Sequence, residues 1–160
     1  MKDNEELARL YCEDQADRTS ANGDEIDWKV VVQRDSARLA RVKELYARDE
    51  LHTGADYYHV AMILQHGDRP DDYLLAHELC IVAIMMGEER AKWLAAASED
   101  RFLMSIERPQ RFGTQYRSDQ KAGFFRLHEV DKNITDAVRR EFNVPSLEEA
   151  KAREQLMNEK

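Results

Sequence analysis

The chain reads as an all-α protein, and three observations carry that reading. Only six glycines and three prolines punctuate 160 residues, apolar residues recur at three- and four-residue spacing, and no alternating run rich in Val, Ile or Thr marks a strand. With 42% hydrophobic and 35% charged residues there is material for one core beneath a heavily charged surface, so a single domain is expected. Its architecture is expected to be a compact irregular helical bundle. Three of its helices pair in the manner of tetratricopeptide repeats, but too few units follow one another for a solenoid.

Taken in order, a first helix is expected over about Asn4–Arg18, followed by a loop at Ser20-Ala21-Asn22-Gly23 and a long second helix over about Glu25–Arg48. The third, about Ala55–His66, stops at Gly67, read as a left-handed cap. Pro70 opens the fourth helix, which runs to about Met86 and ends at Gly87, and the fifth covers about Glu88–Ile106. Pro109 and Gly113 break the pattern, so Arg108–Gln115 reads as an ordered loop. Asp119–Val130 shows little periodicity, and a short helix is expected over about Asp131–Phe142. Ser146 and Glu149 form a capping box that starts a last, strongly charged helix. The domain proper is therefore placed at residues 1–145 and the charged C-terminal helix at 146–160.

The net charge of −8, with basic residues scattered among acids, argues against nucleic acid, whose phosphates call for a concentrated basic footprint. No apolar run approaches membrane-spanning length and the first ten residues lack an apolar signal core, so no membrane partner is expected and the expected address is cytoplasmic. Cys12 and Cys80 have no paired spacing and read as reduced thiols.

Three aspartates stand where leucines would be expected. The helical stripes run Leu7, Leu10, Tyr11, Asp14, Arg18 in the first helix, Trp28, Val31, Val32, Asp35, Leu39, Val42, Tyr46 in the second, and Trp93, Ala97, Asp100, Met104 in the fifth. An ionised carboxylate is costly to bury unless paired or hydrogen-bonded. Asp14 with Arg18 and Asp35 with Arg38 have the spacing of local ion pairs, whereas adjacent Asp100 and Arg101 diverge. His66 closes the third helix beside Gln65, and His77 shares a face with Cys80 and Ile84, where a satisfied core histidine is the plain reading. His59 and His66 stand about 10.5 Å apart along one helix, too far to chelate one ion, and no Glu-x-x-His pair occurs. No metal or other cofactor is expected, and no nucleophile motif is present.

In order, Asp14-Gln15 with Arg18, Asp35 with Arg38-Leu39, Gln65-His66, Asp100-Arg101, Arg108-Pro109-Gln110 and Phe112-Gly113-Thr114-Gln115 resemble a bacterial domain-of-unknown-function family of small helical proteins with a QH…DR…PQ-x-[YF]-GTQ signature. The resemblance spans about Glu13–Arg117 and departs over Ala47–Gly54, where the family carries a Gly-Trp-Pro turn and a Ser-Leu-Val-Gly segment. It implies no activity, only that these polar residues belong together.

Two functional expectations follow. The first is a cofactor-independent enzyme, a hydrolase as first choice, acting on a polar small molecule or modified peptide. His66 would be the acid–base, with Asp100 or Asp35 orienting it. Arg101 would hold an anionic group, and Gln65, Gln110, Thr114, Gln115, Asp14 and Arg18 would complete the binding site. The second is a non-catalytic binding or interaction module in which the same residues form a buried polar network that fixes the Arg108–Gln115 loop.

Overall fold

A computed structural model describes residues 2–19, 26–119 and 123–159. The helices are α1 Glu5–Asp17, α2 Trp28–Ala47, α3 Gly54–Leu64, α4 Pro70–Met85, α5 Ala91–Ser105, α6 Asp136–Glu141 and α7 Leu147–Asn158, with two strands, β1 Tyr116–Asp119 and β2 Phe124–Leu127. The expected Ser20–Gly23 loop and the expected start of the second helix at Glu25 lie outside the described residues.

Helix starts follow side-chain chemistry. Asn4 caps α1 by accepting from the Glu6 and Leu7 amides, Asp27 caps α2, and Thr53 forms a capping box with Asp56 at α3. The expected box of Ser146 and Glu149 opens α7. Gly87 ends the α4 region at φ +90°, but Gly67 is not left-handed. A Cβ there would sit 2.7 Å from Asp72 Oδ2 and 3.1 Å from the Leu64 carbonyl, so any side chain would force Asp72 to shift.

Direction alternates along the bundle. Asn4 N donates to Asp56 and Asp14 approaches His66, so α1 and α3 run parallel; Glu6 meets Arg41 and Asp17 meets Arg34, so α2 runs antiparallel to both. Short turns reverse α4 against α3 and α5 against α4, which packs on both. The C-terminal ends of α1, α3 and α5 and the N-terminal ends of α2 and α4 therefore share one end of the bundle. Between them lies a core of Leu7, Leu10, Val42, Leu64, Leu79 and Leu94, each leucine contributing about 1.5–3 kcal/mol by leaving water.

The inward face of α2 differs from the expected stripe: Trp28 and Val32 are 59% and 61% exposed, and the buried residues are Val31, Arg38, Val42 and Leu45. The face is rotated toward Arg38, which can be buried because carboxylates neutralise it. Trp93 is likewise half out of the core, and α5 turns its small side, Ala95–Ser98, inward. The segment that showed little periodicity contributes β2 of an antiparallel hairpin, Tyr116 opposite Leu127 and Asp119 opposite Phe124. Strands of four residues are too short for alternation to show. α7 covers the outer edge of β2, since Asn158 accepts from the Phe125 amide and donates to its carbonyl while Glu154 accepts from Leu127 N. That supplies the pairing a bare edge would lack.

Candidate functional site

Two polar networks occupy the shared end. The first joins α1 to α2. Arg18 bridges Asp14 at 2.9 Å and Asp35 at 2.6 Å, Arg38 bridges Asp35 at 2.7 Å and Asp17 at 2.8 Å, and Arg34 holds the other Asp17 oxygen at 2.6 Å. Asp14, fully buried, also accepts from the Gln15 amide at 2.8 Å. Three carboxylates face three guanidiniums, so the network is neutral in itself. Burial alone would raise the carboxyls of Asp17 and Asp35; their arginines outweigh it and hold both below the usual range, with His66 adding to the effect at Asp35.

His66 follows the last turn of α3 and sets its Nε2 3.5 Å from Asp14 Oδ2, with 20% of the side chain exposed. Nε2 is sealed from solvent and has no hydrogen-bond partner among the described residues, so ring and carboxylate face each other without a formed bond. The carboxylate beside His66 is thus Asp14; Asp35 lies one arginine further out, and Asp100 turns elsewhere. Gln65 is buried with its amide nitrogen 2.7 Å from Met62 Sδ.

The second network holds the Arg108–Gln115 loop. Asp100, fully buried on α5, accepts from the backbone N–H groups of Arg111, Phe112 and Thr114 at 2.7, 2.8 and 3.0 Å and from Thr114 Oγ1 at 2.7 Å. Gln110 spans the loop: its amide donates to the carbonyls of Gln115 and His128, and its oxygen accepts from Gln115 N. Gln115 Nε2 donates to Thr114 Oγ1. From the other side buried Arg139 donates to the carbonyls of Phe112, Arg111 and Ile134. Carboxylate on the amides and guanidinium on the carbonyls clamp one loop from both faces. Asp100, Gln110 and Thr114 therefore act on the loop backbone, not on His66.

Arg101, one residue on, diverges as adjacent helical residues do. Its guanidinium donates to no group among the described residues and its Nε is sealed from solvent. Burial pushes its pKa down, and the charge acting against that is Tyr73 on α4. Tyr73 in turn donates to the carbonyl of Gly67, next to His66. His77 has its Nδ1 2.9 Å from the Ala95 carbonyl and behaves as a satisfied packing residue.

Asp17, Arg34 and Tyr73 are not among the residues the sequence puts forward, and Arg38 enters there only as the ion-pair partner of Asp35 and as part of the family pattern, not as a site residue. For Arg38 the signal was available: it stands seven residues after Val31 and four before Val42, a charge on an apolar stripe like the aspartates. Arg34 and Asp17 lie at the rim and carry no such mark. Both cysteines are free thiols, and burial pushes that of Cys80 up.

Among the described residues no group of three His, Cys, Asp or Glu side chains converges as a metal site, and no helix is long and apolar enough to cross a membrane. Comparison of the chain with protein-family models, curated proteins and solved structures finds no match.

Proposed function

We propose that the chain is a small cytoplasmic, cofactor-independent enzyme in which His66, oriented by Asp14, moves a proton on a polar small molecule or modified peptide, with hydrolysis the first reaction to test. The observation that carries this reading is a part-exposed imidazole 3.5 Å from a fully buried carboxylate whose other oxygen is held by Arg18. A slight rotation lets Nε2–H donate to Asp14 Oδ2, which leaves Nδ1 as the base. The surrounding ion network is neutral while His66 is neutral, so the imidazolium formed on proton uptake meets Asp14 without a competing excess of positive charge. The proton taken from water returns from the same nitrogen to the leaving group. Membership in the QH…DR…PQ-x-[YF]-GTQ family belongs to the same proposal.

A screen of chromogenic esters, amides and phosphoesters tests it. Turnover should fall about 100-fold or more in His66→Gln and clearly in Asp14→Asn, with melting curves showing both folded. Undiminished turnover in His66→Gln would remove the histidine from the chemistry. The binding-module reading is favoured by one observation, the internal saturation of Gln110 and Asp100. It predicts no turnover on any member of the panel and loss of stability alone in both variants.

A further inference from the structure

We propose that Arg101 is the anchor of an oxyanion subsite, so that the molecule handled at the His66 end carries a carboxylate or a phosphate. This rests on the acid–base reading for its purpose but on separate residues for its evidence.

A bundle with this much charge pairs its interior cations carefully. Arg38, 5% exposed, faces three carboxylates, and Arg139, 2% exposed, donates to three carbonyls and Asp136. Arg101 is the exception among the described residues: no carboxylate lies within salt-bridge distance, no carbonyl accepts from it, and its Nε is enclosed. Only Nε is enclosed; the two terminal nitrogens keep contact with solvent, so the group is partly hydrated yet has no acceptor from the described residues, and its partial desolvation is a cost an uncharged residue would avoid. Burial also holds its pKa down, as expected of a cation lacking a counter-ion. The residue keeps partial exposure, so a solute can reach the group.

The neighbourhood suits an anion. Asp100 cannot supply charge, because it faces away and all four of its contacts are in the loop. Tyr73 is the titratable group whose charge acts on Arg101, and its hydroxyl proton is already directed at Gly67 O, which ties the ring to the turn bearing His66. The α1–α2 network offers no alternative anchor, since its three guanidiniums are matched by three carboxylates. A planar guanidinium fork prefers an acceptor with two oxygens, hence an oxyanion over a halide.

The test uses the full chain with inorganic phosphate, acetate and chloride at matched ionic strength. In wild type, phosphate or acetate should raise Tm above the chloride value by about 3–6 °C at saturation, and the Arg101 Nε–H resonance should move on titration. A response to phosphate alone assigns a phosphate-bearing molecule, and one to acetate alone assigns a carboxylate. Arg101→Met should abolish the difference between anions and, without anion, melt above wild type, since it removes an unpaired interior charge while keeping the apolar stem. Equal response in Arg101→Met, or no wild-type response beyond chloride with a stationary Nε–H signal, overturns the proposal. If the methionine variant fails to fold, the wild-type resonance still decides. His66→Gln separates the two readings: anion binding retained with turnover undiminished refutes the acid–base role and leaves this subsite standing. Turnover lost in His66→Gln while Arg101→Met still responds does the reverse.

Discussion

Asp100→Ala should destabilise the protein by about 3–5 kcal/mol, and the figure can be built from the loop. The carboxylate accepts four hydrogen bonds at 2.7–3.0 Å, each of a kind worth about 1.5–3 kcal/mol when one partner is charged, though not additively. Arg111 and Thr114 are part-exposed, so their amides recover much of the loss by recruiting water. Phe112 is 3% exposed and packs against Phe142, with ring centroids 5.0 Å apart; its N–H has no such recourse. One stranded amide costs about 1–3 kcal/mol and the unrecovered charged bonds supply the rest. Asp100→Asn should cost about 2 kcal/mol. Its oxygen can keep Arg111 and Phe112, while its amide nitrogen meets Thr114 N–H donor to donor and is rescued only by rotation of the Thr114 hydroxyl. Urea melts followed by far-UV circular dichroism measure both. If Asp100→Ala lies within about 1 kcal/mol of wild type, the clamp does not hold the loop. If Asp100→Asn instead abolishes turnover without loss of stability, Asp100 acts on substrate and the structural assignment is wrong.

Asp35→Ala should cost about 2–4 kcal/mol by leaving Arg18 and Arg38 short of an acceptor, and Asp35→Asn less; denaturant midpoints unchanged in both would mean the network does not stabilise the fold. His59, stacked on Tyr11 at 4.4 Å, is depressed by burial first and then by Arg90, against Asp56, Asp3 and Glu88. The unfolded chain therefore takes up this proton at higher pH than the folded one, so stability should fall as pH drops below about 6.5, and His59→Phe should flatten that slope in thermal melts from pH 7 to 5. Asp17 and Asp35 act in a lower window: their folded values are depressed, so their contribution is complete above about pH 4 and is lost as pH falls through the folded values. Elemental analysis of protein purified without chelator should show well under one equivalent of zinc, iron or manganese, and a stoichiometric metal would overturn the cofactor-independent mechanism.

Much of the helical order was readable because caps and breakers act locally. Asn4, Thr53, Pro70 and Ser146 each satisfy or excuse amides within three residues, so their effect is written in the adjacent sequence. What failed was less local. The spacing of Arg38 with Val31 and Val42 marks it as a candidate for the buried face of α2, but hydropathy alone favours Trp28 and Val32, and the balance turns to Arg38 only because Asp17 arrives from another helix to neutralise it. The hairpin escaped for a related reason: β2 is completed by Glu154 and Asn158, roughly thirty residues away, not by its own alternation.

Alternation of helix direction explains why the polar residues read from sequence fall into two classes. A residue late in α1, α3 or α5, or early in α2 or α4, must lie at the His66 end; one early in α1, α3 or α5 must lie at the other. Asp14, Asp35, His66, Tyr73, Asp100 and Arg101 all satisfy the first condition. Asp56 satisfies the second, and it takes the amides of Asn4, His52 and Thr53 and serves as a structural cap. Convergence at one end is thus a consequence of connectivity, and by itself it does not mark a site. What separates a site residue from a brace at that end is whether its polar atoms are satisfied. Asp100 is saturated by three loop amides and the Thr114 hydroxyl, and Asp35 is matched by two arginines. The interior polar atoms at that end with no hydrogen-bond partner among the described residues are Arg38 Nε, Asp72 Oδ2, His66 Nε2 and Arg101 Nε. Arg38 is held by Asp17 and Asp35 and Asp72 by Lys43, whereas His66 only faces Asp14 and Arg101 has no ion pair among the described residues, which leaves these two side chains as the ones an added ligand could engage.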